Sequence, residues 1–201
     1  MILLTCAVGR ELAFFTPVPH VEMLVTGVGP IEAGISVARA LAQSPYALVV
    51  NAGLAGALEG CGNVGDGVVI SEDRMEIGLE DGKPLDLPDG IAVIDRASSD
   101  LALVEQLVEL GYASKRGITV SRVTTTRQTA QHLASFNVEV ESMEGFAVLR
   151  AAEMAAVPAI QVRGISNIVT DRERSGWNFE RGCDGLKKIL DDLLAIVPAE
   201  P

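Results

Sequence analysis

One stretch of the chain, residues 21–51, has the sequence VEMLVTGVGPIEAGISVARALAQSPYALVVN. It begins with a β-rich run at Val21–Thr26 and passes through a glycine-rich turn. It then enters the segment Pro30–Gln43, where Pro stands in the first turn and apolar residues recur near helical spacing. A second β-rich run follows at Ala47–Asn51. The order strand, helix, strand predicts an α/β fold.

The same alternation extends along the rest of the chain. Further buried strands are predicted at Ile2–Val8, Gly67–Ser71, Gly117–Val123 and Ala159–Ile165, further helices at Ser98–Tyr112 and Gly182–Ile196, and an Ala-rich helix after Glu144. The polar segment Glu80–Gly90, rich in turn-forming residues, predicts a surface loop. Together these elements predict an α/β/α sandwich of three layers, with helices on both faces of a mixed, mostly parallel central sheet.

The bulk composition limits the class of protein. The chain has 201 residues, of which 48% are hydrophobic, enough to bury one substantial core, so residues 1–201 are expected to form a single domain. The formal net charge is -11 and Lys and Arg form no cluster, which argues against a nucleic-acid partner.

The cysteines and the first residues of the chain indicate the cellular compartment in which the protein is expected. Cys6, Cys61 and Cys183 have no CxxC spacing, so neither a disulfide framework nor a metal site is expected. The opening MILLTCAVGREL lacks a basic leader and a long apolar run, which predicts a buried strand and not a signal peptide. We therefore expect a cytoplasmic protein without a membrane partner.

The residues that follow each strand are the first candidates for a site, because ligands in open α/β sheets bind beyond the carboxyl ends of the strands. The turn Thr26-Gly27-Val28-Gly29 would let a ligand approach the backbone, although such tight turns are also common without a ligand. Its spacing excludes a dinucleotide fingerprint, because Glu32 stands where the third glycine would be. No cofactor is expected.

Three other strand ends are unusual. The run Asn51–Leu58 is interpreted as a loop of small residues packed on the sheet, with no chemical role. Glu144 stands at a helix start among apolar neighbours, where it either caps the helix or accepts hydrogen bonds from ribose hydroxyls. Asn167 ends a strand, where it is either an ordinary turn residue or an amide that holds two adjacent atoms of a heterocycle.

Taken in order, these segments resemble the purine nucleoside phosphorylase superfamily, specifically its hydrolytic branch of methylthioadenosine/S-adenosylhomocysteine nucleosidases and futalosine hydrolases. The resemblance covers nearly the whole chain. The matching pieces are Glu11, TGVG at 26–29, NAGLAG at 51–56, VGD at 64–66, SMEG at 142–145 and RGISN at 163–167. It implies an enzyme that cleaves the bond between a purine and its ribose, and commonly a homo-oligomer.

The resemblance also implies roles for single residues. Glu11 matches the family carboxylate that orients and activates the attacking water. Glu144 would bind the ribose 2'-hydroxyl, with Met143 packed against the sugar. Thr124 and Thr125 follow the strand that flanks the base pocket in relatives.

Aromatic residues near the end of the chain complete the implied site. Trp177 and Phe179 lie in the loop that covers the base and the 5' group in this family, where they would stack and exclude water. Core packing is the alternative for Phe179. His20 and His132 match no family motif and are interpreted as structural or surface residues.

Asn167 is the main departure from the adenine-specific members of the branch, which have an aspartate there. An Asn donates its NH2 to a 6-oxo group, which suits hypoxanthine and not adenine. The strings SMEG and RGISN followed by Trp177 resemble the futalosine hydrolases, so futalosine is the implied substrate. An Asn cannot protonate the departing base, and Asp171 or a water remains open as the proton source. Asp171 is equally suited to a surface pair with Arg172 or Arg174.

Three alternatives remain open. A phosphorylase needs a basic cradle for phosphate, and Arg10 is the only obvious cation near the predicted site. An adenine-specific nucleosidase would have to tolerate Asn167. A nucleoside-binding protein without catalysis has no use for a water-activating Glu11, which makes this alternative weaker.

Overall fold

The structure is a computed structural model that describes residues 1–78, 87–174 and 176–197. The strands are β1 Ile2–Cys6, β2 Val21–Val25, β3 Leu48–Leu58, β4 Gly67–Met75, β5 Arg96–Ser98, β6 Ala113–Thr119, β7 Val140–Ser142 and β8 Ala159–Val169. The helices are α1 Pro30–Gln43, α2 Leu101–Glu109, α3 Arg127–Ala134, α4 Gly145–Met154 and α5 Phe179–Ile196. Short 3-10 helices lie at Gly9–Leu12, Pro88–Gly90 and Arg172–Arg174.

The strands form one mixed sheet. Five strand pairs are parallel, namely β1–β2, β1–β3, β3–β8, β4–β6 and β6–β7, and three are antiparallel, namely β3–β7, β4–β5 and β4–β8. Because β8 pairs with both β3 and β4, the strands β3, β8, β4, β6 and β7 pair in a closed circuit. The mixed, mostly parallel sheet predicted from the sequence is confirmed.

Helices cover both faces of this sheet. One buried apolar cluster joins β1, β3 and β8 to α2 and α5, through residues such as Leu107, Leu186 and Leu190. A second cluster joins the opposite face to α1 and α4, through Val37 and Leu149. Two layers of helices therefore enclose the sheet, as the sandwich prediction requires.

Several predicted boundaries are wrong. The run Asn51–Leu58 is not a loop, because β3 continues through it to Leu58 between β7 and β8. β8 was predicted to end at Ile165, but it continues through Asn167 to Val169. β6 lies four residues earlier than Gly117–Val123.

Other elements were not predicted at all. The three-residue strands β5 and β7 are too short to show a periodic pattern, and α3 is a polar helix that buries only Ala130 and Leu133. In the predicted loop Glu80–Gly90, residues 80–86 lie outside the described part of the chain. No helix in the described ranges has the length and apolar character needed to cross a lipid bilayer.

Candidate active site

A cavity of about 180 Å³ is lined by residues that directly follow β1, by the second half of β3, and by residues near the carboxyl ends of β7 and β8. Six residues predicted from the sequence line it together, namely Glu11, Met143, Glu144, Asn167, Trp177 and Phe179. The rest of its lining is Ala7, Val8, Val28, Leu54, Ala55, Gly56, Val123, Glu141, Ser142 and Ser166. Among these described lining residues there are three carboxylates and neither Lys nor Arg.

Glu11 is held by backbone N–H groups from two directions. It lies in the 3-10 helix that follows β1, and its side chain is buried. Its Oε2 accepts from the N–H groups of Ala7 and Val8, each at 3.1 Å, and its Oε1 accepts from the N–H of Leu54 at 2.9 Å. These three bonds fix the carboxylate at the cavity wall and leave room for one further donor, because a carboxylate has about four acceptor positions.

Glu144 is bound by the glycine-rich turn. It is the residue before α4, but its side chain caps none of the N–H groups of that helix and instead accepts from the N–H of Gly29 at 2.9 Å. Gly29 has φ of 96°, a left-handed conformation that favours glycine. Burial raises the pKa of Glu144, while the charge of Arg163 opposes that rise. The turn and the acidic motif therefore form one unit, although 115 residues separate them.

The remaining residues of the turn contact the cavity less directly. Thr26 is buried, and its Oγ1 lies 3.2 Å from the carbonyl oxygen of Cys6 and 2.9 Å from that of Gly27. Thr26, Gly27 and Gly29 do not line the cavity themselves, whereas Val28 does. Their observed part is to shape the backbone that holds Glu144.

Asn167 is placed by an irregularity between two strands. The register of β3 and β8 shifts between Ala55 and Gly56, and Gly56 is paired with Asn167. The Ser166 hydroxyl lies 3.0 Å from Asn167 Oδ1 and 3.2 Å from the carbonyl oxygen of Ala55. A Cβ at Gly56 would lie 2.9 Å from Asn167 Nδ2, so the amide occupies space that only glycine leaves free.

Arg163 was part of a quoted motif, but the sequence interpretation gave it no role. Its side chain is 2% exposed, and its Nε and Nη2 have no hydrogen-bond partner among the described residues. A Cβ at Gly53 would overlap Arg163 Nη1 and lie 3.0 Å from Glu11 Oε1, so the guanidinium and the carboxylate approach the same point of β3. The interpretation that Arg10 is the only cation near the site is wrong, because the Arg163 guanidinium is buried close to Glu11. An Arg inside an apolar strand run was the available signal.

Glu141 is the second residue that sequence reasoning missed. It lines the cavity, is 6% exposed, and its Oε1 accepts from the N–H of Thr124 at 3.0 Å. Its Oε2 is buried without a hydrogen-bond partner among the described residues. Burial raises the pKa of Glu141, with the bond from Thr124 acting against it.

The predicted threonines lie beside the cavity and not in its lining. Thr124 is buried and holds Glu141, while the carbonyl oxygen of the exposed Thr125 accepts from the N–H of Arg172 at 3.0 Å. Val123 is the residue of this segment that lines the cavity. Asp171 is also outside the lining, and its Oδ1 accepts from the N–H of Arg127 at 2.8 Å, at the start of α3.

An arginine guanidinium lies over the ring of each of the two aromatic residues of the lining. Arg10 lies 4.7 Å from the ring centre of Phe179, and Arg172 lies 4.9 Å from that of Trp177, which is 48% exposed. Cations over aromatic faces at these distances attract the ring electrons. His132 is outside the site and lies 3.1 Å from Glu76 on the surface.

The fold and this arrangement define the class of protein. A family model described as the phosphorylase superfamily matches residues 10–195, and the chain belongs to that superfamily. The nucleosidase of Helicobacter pylori that acts on 5'-methylthioadenosine and S-adenosylhomocysteine has the same fold, with a TM-score of 0.82 over 98% of each chain and 15% identity.

Relatives closer in sequence carry a more specific name. The chain is 30% identical to a futalosine hydrolase of Thermus thermophilus over 181 residues, which cover 86% of this chain and 80% of the relative. It is also 30% identical to a futalosine hydrolase of Streptomyces coelicolor over 192 residues, 88% of this chain and 79% of the relative.

Proposed function

We propose that this protein hydrolyses the bond between hypoxanthine and ribose in futalosine, which yields dehypoxanthinyl futalosine for menaquinone synthesis. The observation that carries the proposal is the joint position of Glu11, Glu144 and the Asn167 amide around one cavity. The futalosine hydrolases that the chain resembles support the choice of substrate.

The charges of the cavity suit this bond cleavage. Breaking an N-ribosidic bond builds positive charge on the sugar and negative charge on the base, so catalysis needs groups placed against both. Glu11 and Glu144 are the carboxylates proposed to face the cationic sugar and the attacking water. Asn167 is proposed to donate its NH2 to the 6-oxo group of the departing base.

Water is the favoured acceptor over phosphate. The described lining has three carboxylates and no Lys or Arg, so a phosphate dianion would meet repulsion and no basic cradle. Arg163 is buried and does not line the cavity, and its charge acts on the carboxylates of Glu144 and Asp73, where it opposes the rise in their pKa. This argument weighs against the phosphorylase alternative.

The carboxylated 5' arm of futalosine needs positive charge beside the cavity. Arg10 and Arg172 lie over Phe179 and Trp177, the two aromatic residues of the lining. We propose that these guanidinium groups attract the arm, while the aromatic rings cover it.

We further propose a cytoplasmic homo-oligomer without a nucleic-acid partner. Ile31, Ile35 and Met154 on α1 and α4 are 74%, 61% and 75% exposed, and an interface between copies would cover such side chains. Light scattering should give a molar mass of at least two chains, and a monomer would contradict this proposal.

The reaction is tested by incubating the purified protein with futalosine in phosphate-free buffer. We expect free hypoxanthine and a ribose with a free 1'-hydroxyl, at a rate that added phosphate does not raise. A strict need for phosphate, or a ribose 1-phosphate product, would contradict hydrolysis. Efficient release of adenine from methylthioadenosine would favour the adenine-specific alternative.

A further inference from the structure

Glu141 lines the cavity, and its buried carboxylate has an unused acceptor. Its Oε1 is occupied by the N–H of Thr124, whereas its Oε2 has no partner among the described residues. A buried acceptor without a donor costs free energy, and such groups in native proteins commonly await a ligand or a water. The cavity therefore offers a place for a donor on the ligand.

The sheet places Glu141 opposite Asn167. Gly56 of β3 is the register partner of Glu141 on β7 and also of Asn167 on β8. Neighbouring strands are about 4.8 Å apart, so the two Cα atoms are on the order of 10 Å apart across a residue without a side chain. Both side chains line the same cavity. A flat ring above Gly56 would have the amide on one side and the carboxylate on the other.

We infer that Glu141 is a specificity-determining residue that accepts the N1–H of a 6-oxopurine, opposite the Asn167 amide. The inference deepens the proposed function and rests on it for the class of base. Hypoxanthine carries a hydrogen on N1, whereas adenine has a bare acceptor there. A carboxylate has only acceptors to offer, so it binds the first base and repels the second.

The remaining groups near Glu141 are consistent with this role. Thr124 supplies the backbone donor that fixes the carboxylate, and the other titratable groups among the described lining residues are Glu11 and Glu144. Because its pKa is raised, Glu141 is protonated at a higher pH than an exposed glutamate is, and protonation removes the acceptor. Hypoxanthine binding should therefore weaken as the pH falls through that pKa.

The test measures binding of free hypoxanthine and free adenine by calorimetry, which needs no turnover. In Glu141→Gln we expect hypoxanthine to bind on the order of tenfold to a hundredfold more weakly, because a charge-assisted hydrogen bond is lost. Adenine should bind as well or better, because the Gln amide can donate to its N1. The weakening of hypoxanthine binding in acid should shrink in the variant, which retains Glu11 and Glu144.

Glu139→Gln is the matched control, because Glu139 lies two residues earlier and pairs with Lys115 at 3.0 Å outside the cavity. It should bind both bases like the wild type. Equal affinities in Glu141→Gln and the wild type, or an equal loss for both bases, would overturn the inference. A gain in hypoxanthine affinity in acid would instead assign a protonated donor to Glu141 and also overturn it.

A second measurement does not depend on the folding of Glu141→Gln. The wild type should bind hypoxanthine more tightly than purine, which has no hydrogen on N1 and no 6-oxo group, and Asn167→Ala should retain part of that preference through Glu141. Loss of the whole preference in Asn167→Ala would overturn the inference. Failure of the wild type to cleave futalosine would refute the proposed function without changing these binding results.

Discussion

Glu11 shows how a charged side chain is held at the wall of the cavity. Three backbone N–H groups, from Ala7, Val8 and Leu54, donate to its two oxygens, and Arg163 approaches from below at Gly53. A carboxylate held this way loses little freedom when it orients a water, because its geometry exists before the substrate binds.

Glu11→Gln is expected to lower turnover by about a hundredfold or more, the scale of losing a general base, while ligand binding survives. The Gln NH2 would also face at least one of the three backbone N–H groups, which should lower the free energy of unfolding by about 1 to 3 kcal/mol. Steady-state kinetics and urea unfolding measure the two effects. Glu105→Gln, on the exposed face of α2, should change neither. Turnover near that of the wild type would remove Glu11 from the mechanism.

Sequence reasoning located part of the residue-scale site. Glu11, Glu144 and Asn167 were found because strand ends and family motifs pointed to them, and the structure brings all three to one cavity. Glu141 was missed because it stands in the alternating run VEVE at 138–141, which is typical of a strand with one exposed face, and Arg163 was missed because a charge within a strand was given no role. Their burial depends on pairing between distant strands, which a single sequence does not reveal.

At the scale of elements, the packing of α5 on the sheet depends on small residues. A Cβ at Gly164 of β8 would overlap the carbonyl oxygen of Gly182 and lie 2.8 Å from the N of Leu186, both in α5. The backbone of the helix therefore contacts the backbone of the strand. This contact supports β8 just before it delivers Ser166 and Asn167 to the cavity.

Gly164→Ala should lower the free energy of unfolding by about 1 to 3 kcal/mol, because the added methyl group forces α5 away from β8. Gly34→Ala is the contrasting variant, since its Cβ would lie 3.7 Å from that of Ala147 and no closer to other atoms. It should raise stability by up to about 1 kcal/mol, as Ala does in a helix interior. Denaturant unfolding compares the two, and equal changes would contradict the packing argument.

The element predictions that are correct rest on local signals in the sequence. α1 has the predicted bounds because Pro30 marks its start and its apolar residues keep helical spacing. β3 was predicted too short because its second half, Ala52–Ala57, consists mainly of Gly and Ala, which favour strands weakly. Those small residues are needed there because Arg163, Asn167 and Glu11 occupy the space that larger side chains would fill.

At the scale of the whole molecule, the sheet encloses a polar network. Asp73 is fully buried and accepts from Thr119 Oγ1 at 2.8 Å and from Gln161 Nε2 at 3.0 Å. Burial raises the pKa of Asp73 from 3.8 to about 6, with both hydrogen bonds and Arg163 acting against the rise. The folded protein therefore binds this proton more tightly than the unfolded chain does.

The sign of the resulting pH dependence follows from linkage. The contribution of Asp73 to stability is fully present below about pH 4 and is lost as the pH rises through about 6, by up to about 3 kcal/mol. Asp73→Asn has no carboxylate to titrate, so its stability does not show this loss over this pH range. Gln161 Oε1 has no partner among the described residues, and if the Gln161 side-chain amide rotates by half a turn, this oxygen can accept from the new Asn amide.

The stability of Asp73→Asn relative to the wild type should therefore improve from pH 4.5 to pH 7 by about 2 kcal/mol, an order of magnitude set by that shift. Urea unfolding at both pH values measures the difference. Asp89→Asn, at an exposed position, should follow the wild type at both. Parallel behaviour of Asp73→Asn and the wild type would contradict a raised pKa at Asp73.

The most direct test of the account compares kcat/KM for futalosine with that for its 6-amino analogue, in the wild type and in Asn167→Asp. The wild type should prefer futalosine, because the Asn167 amide is proposed to donate to the 6-oxo group. An ionised Asp has no donor there, so the ratio should fall by about tenfold to a hundredfold in the variant. An unchanged ratio would mean that Asn167 does not recognise the base, and would contradict the assignment of a 6-oxopurine substrate.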